Sequence, residues 1–175
     1  MVDNRDAAAR DFDDFYVGAA GRITRQLVLL TGDRLEAEDV TQEAFERAWL
    51  RWSTVGVCAS PEAWVRIVAQ RLAISRWRRV RNAGAAWRRR GPEQNLPELN
   101  PQHVALMGAL SRLPFQQRRA VVLHHLVDLP VEEIAAETGS SLAAVKKQLE
   151  RGRAALAHLL DETESSPSQE RTAQP

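Results

Sequence analysis

The chain has almost no cysteine. A single thiol, Cys58, in 175 residues excludes an internal disulfide and any cysteine-rich zinc site. Long apolar runs are missing too: none approaches the roughly 18 consecutive residues of a membrane-spanning helix. The N-terminus, MVDNRDAAARDFDDF, is acidic and lacks the apolar stretch of a secretory signal. No His/Cys/Asp cluster has metal-ligand spacing, and no glycine-rich loop is suited to cradling a phosphate. No Ser/His/Asp arrangement can be argued, so no catalytic residue, cofactor or metal is expected. His124 and His125 adjoin at the end of an apolar helical stretch and read as a structural pair. Lysine is scarce, two against 22 arginines, and both Lys146 and Lys147 fall in one short segment. These absences leave an intracellular, cytoplasmic binding protein of one domain or two small ones, without membrane insertion.

Charge, by contrast, is plentiful and segregated. The formal net charge is +1. Residues 1–61 carry seven arginines against eleven acids, whereas residues 62–91 carry nine arginines against Glu62 alone. A basic block beside an acidic one suggests two faces with different partners, a polyanion for the first and a protein for the second.

Helical periodicity runs throughout, with no repeat and no convincing strand, so the expected fold class is all-α. Phe12, Phe15, Tyr16, Ala19, Ile23, Leu27 and Leu30 recur at three and four, and Gly32 closes that helix. A second helix is expected over 34–52, with Ala37, Val40, Ala44, Ala48 and Trp49 as its seam. A loop spans 53–60, and Ser60-Pro61 opens a third helix reaching about Asn82. Residues 83–103 read as a flexible linker, rich in proline at 92, 97 and 101. Helices resume near 101–112 and 115–128, bounded by Pro114 and Pro130. The expected organisation is therefore two small helical domains, 1–82 and 104–161, followed by a disordered polar tail at 162–175.

Residues 131–156, VEEIAAETGSSLAAVKKQLERGRAAL, have the layout of a helix-turn-helix. A short helix meets Gly139, which suits a positive φ, and Ser141 suits an N-cap. Ile134, Leu142, Val145 and Leu149 form the expected apolar seam, leaving Lys146, Lys147, Arg151 and Arg153 outward. The second helix of such a motif enters the DNA major groove. In the third helix, Trp64, Ile67, Val68, Leu72 and Ile74 fall on one side at 100° per residue, and Arg66, Gln70, Ala73, Trp77 and Arg81 on the other. Arginines interleaved with an aromatic residue suit nucleic acid, because guanidinium groups grip phosphates and an indole can stack on an unpaired base.

Three blocks in order resemble RNA polymerase sigma factors of the extracytoplasmic-function type, a sigma-E-like group of the sigma-70 family. They are AEDVTQEAFERAW at 37–49, PEAWVRIVAQRLAISRWRR at 61–79, and the stretch from Leu110 to Leu156 containing LPFQQRRAV and the helix-turn-helix. The resemblance implies an alternative sigma factor that binds core polymerase and directs promoter-specific initiation. It implies that Asp39, Gln42, Glu43 and Arg47 dock on the coiled coil of the largest subunit. The second block implies recognition and melting of the −10 element, with Arg66, Gln70, Arg71, Trp77, Arg78 and Arg81 as candidate contacts. The loop 53–60 would hold a flipped base. The third implies reading of the −35 element by Ser141, Lys146, Lys147, Arg151 and Arg153, beside the flap of the second-largest subunit. Promoter DNA and core polymerase are the implied partners, with an anti-sigma factor as a further candidate. The alternatives are a self-sufficient dimeric helix-turn-helix regulator and a helical adaptor without DNA function.

Overall fold

The computed structural model describes residues 3–82 and 101–164. The expected linker as far as residue 100, and the tail beyond 164, lie outside the described residues. So do the side chains of Trp77, Arg78 and Arg81. Among the described residues there are helices and no strands, in two compact units divided near residue 95.

The first unit packs three long helices. Helix α1 (Asp3–Thr31) ends at Gly32, whose φ of 73° only glycine adopts readily. Helix α2 (Arg34–Trp49) starts on Asp33, whose side chain accepts the Glu36 amide at 3.1 Å. Helix α3 (Trp52–Val55) is a single turn, and α4 (Pro61–Asn82) starts with the Ser60 hydroxyl accepting the Ala63 amide at 3.2 Å. The core is Ala19, Ile23, Leu27 and Leu30 of α1 against Ala37, Val40, Ala44 and Ala48 of α2, closed by Val65, Ala69, Leu72 and Ala73 of α4. The alanines let α2 and α4 approach closely.

Aromatic residues gather at one end of this unit. Phe12 and Phe15 lie 5.0 and 5.1 Å from Trp52 between ring centroids, and Tyr16 lies 4.9 Å from Phe45. The Trp52 indole N–H donates to Asp11 at 3.2 Å, so its polar edge is satisfied. Helix α2 therefore stops at Trp49, short of the expected 52. The chain turns at Leu50 and Arg51 so that Trp52, the expected helix end, and Val55, inside the expected loop, can fill this end of the core from α3.

The second unit comprises α5 (Pro101–Arg112), α6 (Phe115–His125), α7 (Val131–Thr138) and α8 (Leu142–Glu164). Leu110, Leu113, Val121, Val122, Leu123, Ile134, Val145 and Leu149 make its core. Helix α6 ends at His125 rather than 128, and Asp128 carries a φ of 60° in the following turn. There His124 Nδ1–H donates to the Leu129 carbonyl at 2.9 Å, which makes it a satisfied structural histidine. Helix α8 continues to Glu164, past the expected domain end at 161. Phe115 is the sole Phe, Tyr or Trp after residue 95.

Candidate partner and nucleic-acid interfaces

Burial of Ala37, Val40, Ala44 and Ala48 turns the polar residues of α2 outward. Asp39 has 72 % of its side chain exposed, Gln42 is exposed and donates to Glu46 Oε1 at 3.2 Å, and Arg47 donates to Glu43 Oε1 at 2.6 Å. The four residues Asp39, Gln42, Glu43 and Arg47 thus share neighbouring turns of one face. Sequence reasoning missed the residue that organises them. Arg76, nearly two turns before the C-terminal end of α4, donates to Glu43 Oε2 at 2.7 Å and approaches Asp39 at 3.6 Å and Glu36 at 3.7 Å. Its hydrogen bond to Glu43 holds that carboxyl below its ordinary value, while burial pushes Glu36 up. The Arg76 guanidinium is raised further by the same bond. The signal available in the sequence was a basic residue on α4 opposite three acids on α2, but pairing across 33 residues needs the packing.

The other face of α4 departs from expectation. Arg66 and Gln70 are only 6 % and 3 % exposed, on the same side as Val65, Ala69 and Ala73. Trp64, Ile67, Val68 and Ile74 lie on the opposite, half-buried side with exposed Arg71. The predicted phase is therefore wrong, and Arg66 and Gln70 are corrected from outward contacts to interior residues. Apolar side chains occur nearly all round α4, so periodicity could not fix its rotation. The small residues decide it, because only Ala69 and Ala73 admit the close crossing of α2. Of the candidate −10 residues whose side chains are described, Arg71 alone faces solvent, followed along the helix by exposed Arg79. The loop before α4 exposes Val57, Cys58, Ala59 and Ser60.

The turn between α7 and α8 has the geometry of a helix-turn-helix. Gly139 takes φ 64° and ψ 30°, and its amide and that of Ser140 both donate to the Ala135 carbonyl. The Thr138 hydroxyl donates back to Ile134 O at 2.7 Å, which satisfies a polar side chain inside the motif. Ser141 Oγ accepts the Ala144 amide at 3.2 Å as N-cap. Gly152 meets α6 directly: a Cβ there would lie 2.7 Å from Val121 Cγ2. With Val145 and Leu149 also inward, this crossing pins the rotation of α8 and leaves Ser141, Lys146, Lys147, Arg151 and Arg153 exposed. Leu142, expected in the seam, is 45 % exposed instead, because it precedes the turn at which α8 meets the core. Arg153 Nε donates to His125 Nε2 at 2.9 Å, which requires that nitrogen to be unprotonated. Burial first, and Arg153 second, lower the His125 pKa accordingly. Among the described residues no cluster of His, Cys, Asp and Glu is arranged to hold a metal, and no helix is long and apolar enough to cross a membrane.

Two acidic- and basic-faced helical units, one ending in a DNA-reading motif, define a class of transcription factor with two binding surfaces. Comparison with known proteins narrows this. Sigma-70 region 2 matches residues 16–83, and sigma-70 region 4 matches residues 103–156. The chain is 30 % identical over 155 residues to an RNA polymerase sigma-E factor of Streptomyces coelicolor, covering 87 % of this chain and 85 % of that protein. It is 32 % identical over 154 residues to an extracytoplasmic-function RNA polymerase sigma factor, SigL, of Mycobacterium tuberculosis, covering 84 % and 87 %. Its fold is similar to that of the sigma factor RpoE of Bartonella quintana in complex with the anti-sigma factor NepR. There the TM-score is 0.72 at 22 % identity, over 87 % of this chain and 98 % of that one. The chain belongs to the sigma-70 family of RNA polymerase sigma factors, in its extracytoplasmic-function group. A self-sufficient regulator is not favoured, since region 2 has no place in one.

Proposed function

We propose that the outward face of α2 docks this alternative sigma factor on core polymerase, and that α4 and α8 read the −10 and −35 elements. Sigma factors are transcription-initiation factors rather than enzymes, and the chemistry of this complex belongs to polymerase. The observation that carries the docking assignment is the Asp39–Gln42–Glu43–Arg47 face, solvent-exposed yet held in place by Arg76. Such a face offers a basic partner charge complementarity without large ordering cost. Reading of the −10 element is assigned to Arg71, Arg79 and the loop 56–60, whose exposure supports it, and not to Arg66 or Gln70. Trp77, Arg78 and Arg81 remain candidates by resemblance alone. The second unit reads −35 through Ser141, Lys146, Lys147, Arg151 and Arg153. The domains are assigned as 1–82 and 104–161 with a linker at 83–103. An anti-sigma factor is a proposed further partner, and the cytoplasm, where polymerase works, the proposed compartment. Pull-down of core polymerase with Asp39→Arg/Gln42→Ala, alongside circular dichroism, tests the docking face. The variant is expected to keep its helicity and lose most retention, and undiminished retention would remove the assignment.

A further inference from the structure

We infer that Glu150 selects a cytosine within the upstream promoter element. The inference rests on the reading that α8 enters the major groove, and adds the identity of one base. Val145, Leu149 and Gly152 face inward, so Glu150 is held on the outward side of α8, one turn beyond Lys146 and Lys147. It lines a shallow open groove with Lys146 and Arg153, bordered by His124 and Val131.

The surroundings of Glu150 are unusual for a surface carboxylate. Lys146, Lys147, Arg151 and Arg153 all lie within about one turn of it, yet among the described residues it forms an ion pair with none of them. Two other acids of helix faces do pair with an arginine four residues away, Glu38 with Arg34 and Glu43 with Arg47. The order also disfavours a stabilising role. Its N-terminal neighbours at four and three residues are lysines, the weaker arrangement for a helical pair, and Arg153, three residues on in the better order, donates to His125 instead. Glu150 is therefore not explained by support of its own helix.

On a surface that meets a polyanion, a carboxylate weakens every phosphate contact near it. It is favourable only against a base edge that donates. Guanine presents N7 and O6, both acceptors, and thymine presents O4 and a methyl group, so both repel or fail to satisfy it. Adenine offers N6–H beside the acceptor N7. Cytosine offers the N4 amino group without an adjoining acceptor in the groove, and is the best match. The flanking lysines suit the opposite pattern, the acceptor edge of guanine, so Glu150 breaks a run of cations with a demand of opposite sign.

The test is transcription by purified holoenzyme from a promoter library randomised across the upstream element, with sequencing of the templates used. The wild type is expected to favour cytosine at one position of one strand by roughly tenfold, the range of a good base contact. E150A should lose that preference alone, with an unchanged melting curve. E150Q should shift it toward adenine, whose N6 and N7 match a side-chain amide. Retention of every base preference by E150A overturns the proposal. So does a loss at all positions with a lowered melting temperature, which would make Glu150 structural. K146A/R151A, run in parallel, separates the two levels. If that variant loses upstream-dependent transcription while E150A changes nothing, α8 still reads the element and only the cytosine assignment fails. If neither variant has an effect, the assignment of α8 itself fails.

Discussion

Gln70 shows how a residue's chemistry and its position can point in different directions. Its amide nitrogen is buried without a hydrogen-bond partner among the described residues. An orphaned buried donor costs about 1–3 kcal/mol, whereas an apolar side chain of the same size carries no such penalty. Gln70→Leu is therefore expected to raise stability by about 1 kcal/mol and to leave promoter recognition untouched. Thermal melting and run-off transcription check the two halves, and a loss of transcription at unchanged stability would return Gln70 to the DNA surface. Arg71, next to it in sequence, faces solvent and belongs to the other category. One step along a helix, 100° of rotation, separates a packing residue from a candidate strand contact.

At the scale of elements, the junction of α2 with α4 is polar as well as apolar, and its acid dependence follows from Glu43. Arg76 depresses the folded-state pKa of this carboxyl, so its contribution is fully present above the unfolded value, roughly 4.3, and is lost as pH falls through the lower folded value. Glu36 runs the other way, since burial raises it and its ionisation opposes folding as pH rises past the ordinary carboxylate range. Glu43→Gln should flatten the acid limb of a stability–pH curve for the first unit, and an unaltered limb would show that the Arg76 contact contributes nothing. The sequence displayed most of these elements plainly. Caps such as Ser60 and Ser141, the Gly32 and Gly139 stops, and proline boundaries depend on local backbone chemistry, and their positions agree with the structure. The rotation of α4 was not legible, because its apolar residues surround it and only the alanine-lined crossing with α2 chooses a side. Helix α3 was hidden for a related reason: Trp52 reads as a helix end until the aromatic cluster around Phe12 and Phe15 gives it a place in the core. Arg76 could be seen as charge in the sequence, but not as a staple.

For the whole molecule, the near-zero net charge matters more than either charged block. A chain of net charge +1 gains little long-range attraction to DNA, and its acidic first 61 residues oppose what its basic segment offers. The free chain is expected to bind promoter duplex no better than non-specific proteins do, at roughly micromolar or weaker. In complex with core polymerase, for which the acidic face of α2 is the proposed dock, binding should become tight and sequence-dependent. A gel-shift titration of chain alone against holoenzyme measures this. Nanomolar, sequence-specific binding by the chain alone would contradict it.

The placement of the aromatic residues has an optical consequence. Trp49, Trp52, Trp64, Trp77 and Trp87 all precede the division between the units, as does Tyr16. Every tryptophan and tyrosine thus lies before the division, and the second unit contains none. Trp49, 44 % exposed at the end of α2, lies two residues beyond Arg47 of the proposed docking face. Helix α8 itself carries no tryptophan or tyrosine, so a change in emission is not produced within that helix. One spectroscopic signal thus separates the two halves of the molecule without any probe being attached.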